Sequence, residues 1–363
     1  METLGNTGHT SEATQPHWPR LSVIVPVRDG ARFLAESLPA LRASDLPGQA
    51  WELIVVDDAS HDGSAEVAER FADVVVRRPE SSGPSAARNH GVRQSRGGIL
   101  VFIDADVSVH GDALRRLEES FREDARVAAV FGAYDTAPRA PGLVSQYRNL
   151  LHHRVHAEAQ GDAETFWAGL GAIERSVFVA AGGFDETMRQ LEDIDLGYRV
   201  RALGHRILLR PAIQGTHLKH WTLRTMVVND LFGRGVTWMR MHLEQGRTGR
   251  PGTLNIRPAE KVFTLLTGVA AVAIGMSVSR WSLPWLILAG FCLAVVLVGN
   301  LPLLRWFARE RGLRFALVVV PLRLLYYVLN AIAAAIGLVR HAVAPRRRPA
   351  PGAPAPPEEP IAR

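Results

Sequence analysis

The sequence predicts an α/β protein in which a mostly parallel sheet flanked by helices is followed by an α-helical membrane region. Three observations carry this. Short apolar runs of strand length alternate with stretches of helical period over residues 21–220. The run Ile99-Leu100-Val101-Phe102-Ile103 is apolar on both faces, as in a strand covered by helices, and ends at once in Asp104 and Asp106. Between Lys261 and Arg340 the only acidic residue is Glu310, and apolar segments fill most of that interval.

Residues 1–20 are polar, with no apolar core, and read as a disordered leader rather than a secretory signal. Residues 21–25 form a strand that Pro26 is expected to stop, before a polar turn at Arg28-Asp29-Gly30. Phe33, Leu34, Leu38 and Leu41 follow at helical spacing. A second strand over 53–56 ends in Asp57-Asp58. The turn Ser60-His61-Asp62-Gly63-Ser64 then opens a helix with Val67, Ala68 and Phe71 inside, and 74–76 is a third strand. Pro84 stands in the first turn of a helix over about 85–94, where its missing N–H costs nothing. Such alternation predicts right-handed crossovers. Beyond Asp106 come a helix over 113–122, a strand over 127–131 and a long helix over about 142–159. That helix carries His152, His153 and His156, with no carboxylate spaced to complete a metal cluster, so they are expected on a solvated or headgroup-facing surface. The acidic group Glu192-Asp193-Ile194-Asp195 opens a helix that stops at Gly204. A strand over 207–209 follows, and then His217 and His220.

Asp104 and Asp106 stand at a strand end, the place where open α/β sheets bind ligands. Acids that close repel unless something positive neutralises them. A divalent cation carrying a diphosphate does so, because Mg²⁺ and Mn²⁺ take carboxylate oxygens and share their shell with phosphates. The alternative is that Asp106 caps the following turn.

In order along the chain, Val25-Pro26, Val56-Asp57-Asp58-Ala59-Ser60, Gly83-Pro84-Ser85-Ala86-Ala87-Arg88-Asn89, Asp104-Ala105-Asp106, Gly182-Gly183-Phe184-Asp185-Glu186 and Glu192-Asp193 resemble the family 2 glycosyltransferases of GT-A fold. The resemblance covers residues 21–220 and implies a Rossmann-like catalytic domain that inverts at a sugar drawn from a nucleotide-diphosphate sugar. It implies that Asp58, with Asp57 as the alternative, accepts a hydrogen bond from the base. Pro26, Val27 and Asp29 would line the nucleoside pocket, and Gly83 would let backbone approach the ligand. Asp104 would lie near ribose and metal, Asp106 would bind Mg²⁺ or Mn²⁺ directly, and His217 would serve the metal or phosphate side, with His220 as its rival. Asp193 would be the base that takes the acceptor's proton, with Glu192, assigned to the substrate site, and Asp195 as alternatives. Trp167 and Phe184 offer flat apolar faces to a sugar. Processive synthases of this family carry Gln-x-x-Arg-Trp; Phe232-Gly233-Arg234-Gly235-Val236-Thr237-Trp238 lacks the Gln and the Arg-Trp adjacency, so transfer of a single sugar is expected.

The formal net charge is +6. It comes largely from arginines beside apolar segments and from the tail, which suits an anionic membrane surface. No basic groove interleaved with aromatics speaks for nucleic acid. The single cysteine, Cys292, lies in an apolar segment, which excludes an intrachain disulfide and cysteine zinc ligation. Residues 221–260 read as an amphipathic interface helix and linker, 261–343 as the transmembrane region and 344–363 as a disordered Pro/Arg-rich tail. Three crossings are expected, over 262–279, 281–304 and 315–339. The third is interrupted by Pro321 and by Arg323, which would snorkel, face a lipid phosphate or mark an interfacial segment. Arg305, Arg309, Arg311 and Arg314 place their loop, and with it the catalytic domain, on the cytoplasmic side of a cell (inner) membrane. A lipid-linked or membrane-proximal acceptor, in cell-envelope glycan or glycolipid synthesis, follows as the expectation. The alternatives are a non-catalytic membrane protein and a nucleotidyltransferase on the same sheet. The latter would want a basic glycine-rich loop that Pro26-Val27-Arg28-Asp29-Gly30 does not provide.

Overall fold

Strand β1 (Leu21–Val27) turns Leu21, Val23, Val25 and Val27 to one core and Ile24 to the other, as the two-residue period of a strand between two helical layers requires. The computed structural model describes residues 20–124, 126–244 and 258–343. The expected leader (apart from Arg20) and the tail lie outside the described residues.

Around β1 the sheet runs β3 (Val74–Arg77), β2 (Trp51–Asp57), β1, β4 (Ile99–Ile103), β8 (Leu170–Glu174), β6 (Val127–Tyr134), β9 (Arg206–His217) and β5 (Val107–Val109), while β7 (Gly161–Ala163) pairs with β9. Pairing is parallel through β3-β2-β1-β4 and again in β6-β9; β8 enters antiparallel to both its neighbours. Pro26 does not stop β1. It pairs in register with Val56, and β4 has already left at the Ile24–Phe102 pair, so the absent N–H falls on an open edge.

One face of the sheet packs on α1 (Ala31–Arg42), α2 (Ser64–Ala68) and α4 (Ala113–Glu123) through Leu34, Leu38, Leu41, Ala68, Leu114 and Leu117. The other packs on α3 (Pro84–Gln94), α6 (Arg175–Ala180) and α7 (Glu192–Ala202) through Ala87, Val92, Val177, Phe178, Leu196 and Val200. Phe184 belongs to this second core, edge-on to Phe102 at 4.9 Å, and offers no face to a sugar. Helix α5 (Leu143–Glu158) covers the β6 side.

After β9 the chain forms α8 (Leu223–Val228), a π-helical turn over Asn229–Gly235, and α9 (Val236–Glu244). Pro258–Ser279, in α10 (Pro258–Arg280), and Leu313–Val343, comprising α13 (Leu313–Val318) and α14 (Val320–Val343), are each long and apolar enough to cross a membrane. The expected second crossing is the broken one. Helices α11 (Leu283–Gly299) and α12 (Leu301–Arg311) meet at a bend of 53°. Pro302 in the first turn of α12 has no N–H to continue the ladder, and Asn300 donates its side-chain Nδ2–H to Val296 O. Beyond the bend α12 turns toward the α/β domain, where Phe307 packs with Tyr147 and Leu150 of α5. Arg323 neither snorkels nor faces lipid. It is buried, donating from Nε to Asn300 Oδ1 at 2.8 Å and from Nη2 to Glu260 Oε1 at 2.6 Å, because a guanidinium at that depth needs a carboxylate and an amide more than it needs exposure.

Candidate active site

The ends of β1 and β2 bring Pro26, Val27, Asp29, Asp58 and Gly83 into one set of interlocked loops. Asp29 and Ala59 hold left-handed backbone conformations (φ 50° and 61°), which non-glycine residues adopt at a cost. The strain is held by cross-loop bonds: Asp29 N–H donates to Ser60 Oγ at 2.9 Å, and Asp29 Oδ1 accepts from His61 N at 2.9 Å. Asp58 N–H donates to Val27 O at 2.8 Å. The buried Asp58 carboxylate accepts from Arg78 Nη1, Ser81 Oγ, Ser82 N and Gly83 N. Burial alone would raise its pKa, but those donors outweigh it and hold the group below its ordinary value. Asp58 therefore anchors the 78–83 loop with both carboxylate oxygens, and it is not among the residues that line the cavity described next. Asp57 instead ties Ser60 N at 3.0 Å. Gly83 has φ 94°, and a Cβ there would stand 3.4 Å from the Arg189 guanidinium.

Asp104, Asp106, Trp167, Glu192, Asp193 and His217 share one cavity of about 1570 Å³. Arg88 on α3 organises its acids. It donates from Nη2 to Asp104 Oδ1 and from Nη1 to Glu192 Oε1, each at 2.6 Å, and is itself buried. Arg88 stood in the glycine-proline motif of the sequence without a role. The signal was a guanidinium among small residues (Ala86, Ala87) on a core-facing helix, where a charge is retained only if paired. Asn89 next to it clamps the glycine turn, donating to Phe184 O at 2.8 Å and accepting from Phe184 N at 3.0 Å.

Leu191, left-handed at φ 66°, precedes α7 and turns Glu192 and Asp193 into the cavity. Glu192 is spent on Arg88. Among the described residues Asp193 accepts only backbone N–H groups, from Ile194 at 2.8 Å and Ala168 at 3.3 Å. Burial, and then the neighbouring Glu192 charge, push its carboxyl up to about 7. Asp195 points elsewhere, pairing with Arg199. The alternatives for a base are thus occupied, and Asp193 is not.

Burial and the Asp106 charge also push Asp104 above the ordinary range in spite of Arg88. For Asp106, burial is overcome by His217 and Lys219, and its pKa is lowered. His217, not the exposed His220, faces this carboxylate, with Nε2 3.6 Å from Asp106 Oδ2. Its Nδ1 lies 2.7 Å from Asn149 Oδ1, so Nδ1–H donates there and Nε2 is left toward Asp106. Among the described residues no three His, Cys, Asp or Glu side chains converge into a metal cage of their own. Two carboxylates that raise each other's charge burden, with an imidazole nitrogen beside one of them, fit a hard cation that completes its shell with phosphate oxygens.

The three helix histidines are not on a solvated face. His156 is buried with Nδ1 2.9 Å from Gly132 O, His152 packs on Trp167 at 4.7 Å, and His153 stacks on Trp306 at 6.1 Å. α5 lies between the sheet and α12, so these three rings meet protein on their flanks: His156 is buried, and His152 and His153 are half-buried against tryptophans. Burial holds His152 and His156 below the ordinary imidazole range, the latter at about 4, so both are neutral. Trp167, edge-on to Tyr134 at 4.9 Å, lines the cavity. From these acids the cavity runs past Arg148, Asp230 and Arg234 to Glu260, Phe263 and Tyr326 on α10 and α14.

The family described as Glycosyl transferase family 2 matches residues 22–179. Glycosyltransferase AglE of Haloferax volcanii is 38% identical over 103 residues, 27% of this chain and 34% of that one. Pre-mycofactocin glycosyltransferase of Mycobacterium tuberculosis is 28% identical over 236 residues, 62% of this chain and 48% of that one. The chain thus spans about a third to a half of the length of these curated relatives. In structure it is similar to the mannosyltransferase PcManGT from Pyrobaculum calidifontis, solved in complex with GDP-Man and Mn²⁺, with TM-score 0.59, 22% identity, and coverage of 83% of this chain and 87% of that one. That likeness gives the fold.

Proposed function

We propose, from the premise that residues 22–179 of this chain are a family 2 glycosyltransferase domain on a GT-A-like fold, that the protein is a membrane-bound, inverting, metal-dependent glycosyltransferase. It moves one sugar from a nucleotide-diphosphate sugar to a lipid-linked or membrane-proximal acceptor, in cell-envelope glycan or glycolipid synthesis. The observation that carries this reading is the single cavity in which Asp104, Asp106 and Asp193 meet and which continues to the apolar helices.

Asp193 supplies the base: its carboxylate takes the acceptor O–H proton as that oxygen bonds to the donor's anomeric carbon, and the bond to the diphosphate breaks on the opposite face. A carboxyl near 7 is half ionised at neutral pH and loses little driving force for proton transfer. Asp104 and Asp106 would hold Mg²⁺ or Mn²⁺, with His217 steadying Asp106; when bound, the cation neutralises charge on the leaving diphosphate. The Mn²⁺ in the Pyrobaculum enzyme supports that choice of ion. Arg88 fixes Asp104 and Glu192, which leaves Asp193 free. Trp167 offers its face to a sugar, and the loops around Asp29, Asp58 and Gly83 receive the nucleoside.

The apolar helices Pro258–Ser279 and Leu313–Val343 support a multi-pass anchor. The exposed Leu223, Val228 and Phe232 beside them support residues 221–244 as a segment resting on the lipid surface. Arg311 of the arginine-rich loop donates to Thr136 O and Gln146 Oε1, so that loop lies against the catalytic domain, which supports a cytoplasmic site for both. The test is transfer by the full chain in vesicles, offered a panel of nucleotide sugars with and without Mn²⁺ or Mg²⁺. Metal-dependent appearance of label in extractable lipid is expected. Neither donor hydrolysis nor transfer with any member of the panel would end the proposal.

A further inference from the structure

A buried amide stands behind the metal side of the site. Asn149 of α5 is 2% exposed, and His217, the last residue of β9, is 5% exposed. They are 68 positions apart, yet Asn149 Oδ1 lies 2.7 Å from His217 Nδ1. Backbone pairing fixes where the imidazole starts: His217 pairs with Val107 of β5, and Leu218 N–H donates to Asp106 O at 2.8 Å. The ring of Tyr134 then lies flat on the imidazole, 4.3 Å away and 13° off parallel. A flat stack holds the plane of a ring, but it accepts the ring turned over equally well. Only a polar partner at one nitrogen distinguishes the two. Among the described residues Asn149 is the hydrogen-bond partner of Nδ1.

α5 is held at this point from two directions. Tyr147 and Leu150, on either side of Asn149, pack with Phe307 of α12, and Arg148 pairs with Asp230 at 2.7 Å. A short side chain on a held helix delivers its oxygen to one place. A neutral imidazole carries one proton between its nitrogens. With an oxygen against Nδ1 the proton sits there, and Nε2, 3.6 Å from Asp106 Oδ2, keeps a bare lone pair. With the proton on Nε2 instead, an N–H would point toward the cation. Imidazoles that serve metals almost always donate their other N–H to an oxygen, which fixes tautomer and orientation together. Asn149 lines the same cavity as Asp104, Asp106 and His217. Packing alone would be served by a leucine of similar volume, whereas a buried amide costs stability unless it is bonded.

We propose that Asn149 is a positioning residue for the divalent cation. By holding the Nδ1 proton of His217 it keeps Nε2 open toward the cation that Asp104 and Asp106 would bind, and so sets the affinity of that site. This rests on the metal-dependent transferase reading and deepens it with a residue from a helix that carries none of the motifs.

The test uses the full-length protein in detergent, stripped of metal and without donor. Imidazole ¹⁵N signals of histidine-labelled protein, with His217→Gln marking which belong to His217, are expected to show the proton on Nδ1. Mn²⁺ is then titrated, its free fraction read by electron paramagnetic resonance. Asn149→Leu, without an acceptor, is expected to bind Mn²⁺ about 10- to 100-fold more weakly and to lose the preference for Nδ1–H. Asn149→Asp keeps an oxygen at the same place. It is expected to keep that preference and to bind Mn²⁺ no more than about threefold more weakly than the parent. A proton on Nε2 in the parent, Asn149→Leu within about threefold of the parent, or an Asp variant as weak as Leu overturns the assignment. Should Leu lower the unfolding midpoint of the metal-free protein, the parent's own imidazole signal and the Asp variant carry the decision. A parent that takes up no Mn²⁺ overturns the assignment together with the metal reading. Failure to bind or transfer from any nucleotide sugar, in a parent whose Mn²⁺ affinity still depends on Asn149, strikes the transferase reading and not Asn149.

Discussion

Replacing Asp193 by Asn removes the proton acceptor with almost no change of volume, and its effects on activity and stability run in opposite directions. A positioned general base contributes about 10²- to 10⁴-fold, so transfer by the variant falls by that factor while donor and metal still bind. In the parent, kcat/KM for transfer rises with pH through about 7 and then levels, because the group is pushed up to about 7 by burial and by Glu192 and must be ionised to act. Stability follows the same titration with the other sign. Between the ordinary value of 3.8 and about 7 the unfolded chain has lost a proton that the folded one keeps, so this carboxyl withdraws stability as pH rises across that window. At roughly 1.4 kcal/mol for each pH unit the loss reaches at most about 4 kcal/mol above pH 7. Asn carries no such penalty, and the variant should unfold a few degrees higher than the parent at pH 8, with the difference vanishing toward pH 4. The assays are sugar transfer from pH 5 to 9 and thermal unfolding at both ends of that range. A variant that transfers within about tenfold of the parent would refute the assignment of the base. A variant no more stable at pH 8 than at pH 4, relative to the parent, would refute the electrostatic account of its pKa.

Chelation with EDTA should abolish transfer and Mn²⁺ should restore it; Asp106→Asn should raise the Mn²⁺ concentration needed for half-maximal rate at least about tenfold, read by metal titration. Arg88→Met leaves the buried Glu192 and the half-buried Asp104 without their partner and should cost about 3 kcal/mol in thermal or denaturant unfolding. Asp58→Asn should destabilise by about 1–3 kcal/mol and raise the donor KM, because the loop over Gly83 loses the carboxylate that four donors share. As Asp58 is held below its ordinary value, its contribution is present above the usual carboxylate range and is lost as pH falls through the folded-state value. The difference between parent and Asp58→Asn should therefore shrink in acid.

Much of the frame was legible because strand and motif order are local properties. The apolar run ending at Asp104 and Asp106, the acids after β2 and the acidic opening of α7 can each be read from a few adjacent residues. Their order along the chain carries the family resemblance, which implies one site for Asp58, Asp104, Asp106 and Asp193; the last three line one cavity and Asp58 does not. Pro302 was also there to be read, and the second apolar segment bends just before it.

The sequence alone determined which residue types lie at the strand ends, because periodicity and turn chemistry act over a handful of neighbours. Which of those residues stay free was decided only by the tertiary structure. Glu192 and Asp193 are adjacent and chemically alike, yet Arg88, 104 positions away, takes the first and leaves the second. The same holds for Phe184, drawn into the core by Phe102, for the histidines of α5, covered by sheet and α12, and for Arg323, met by Glu260 and Asn300. A charge or a ring is spent or available according to what the fold brings within a few ångströms of it, and that partner is seldom a sequence neighbour.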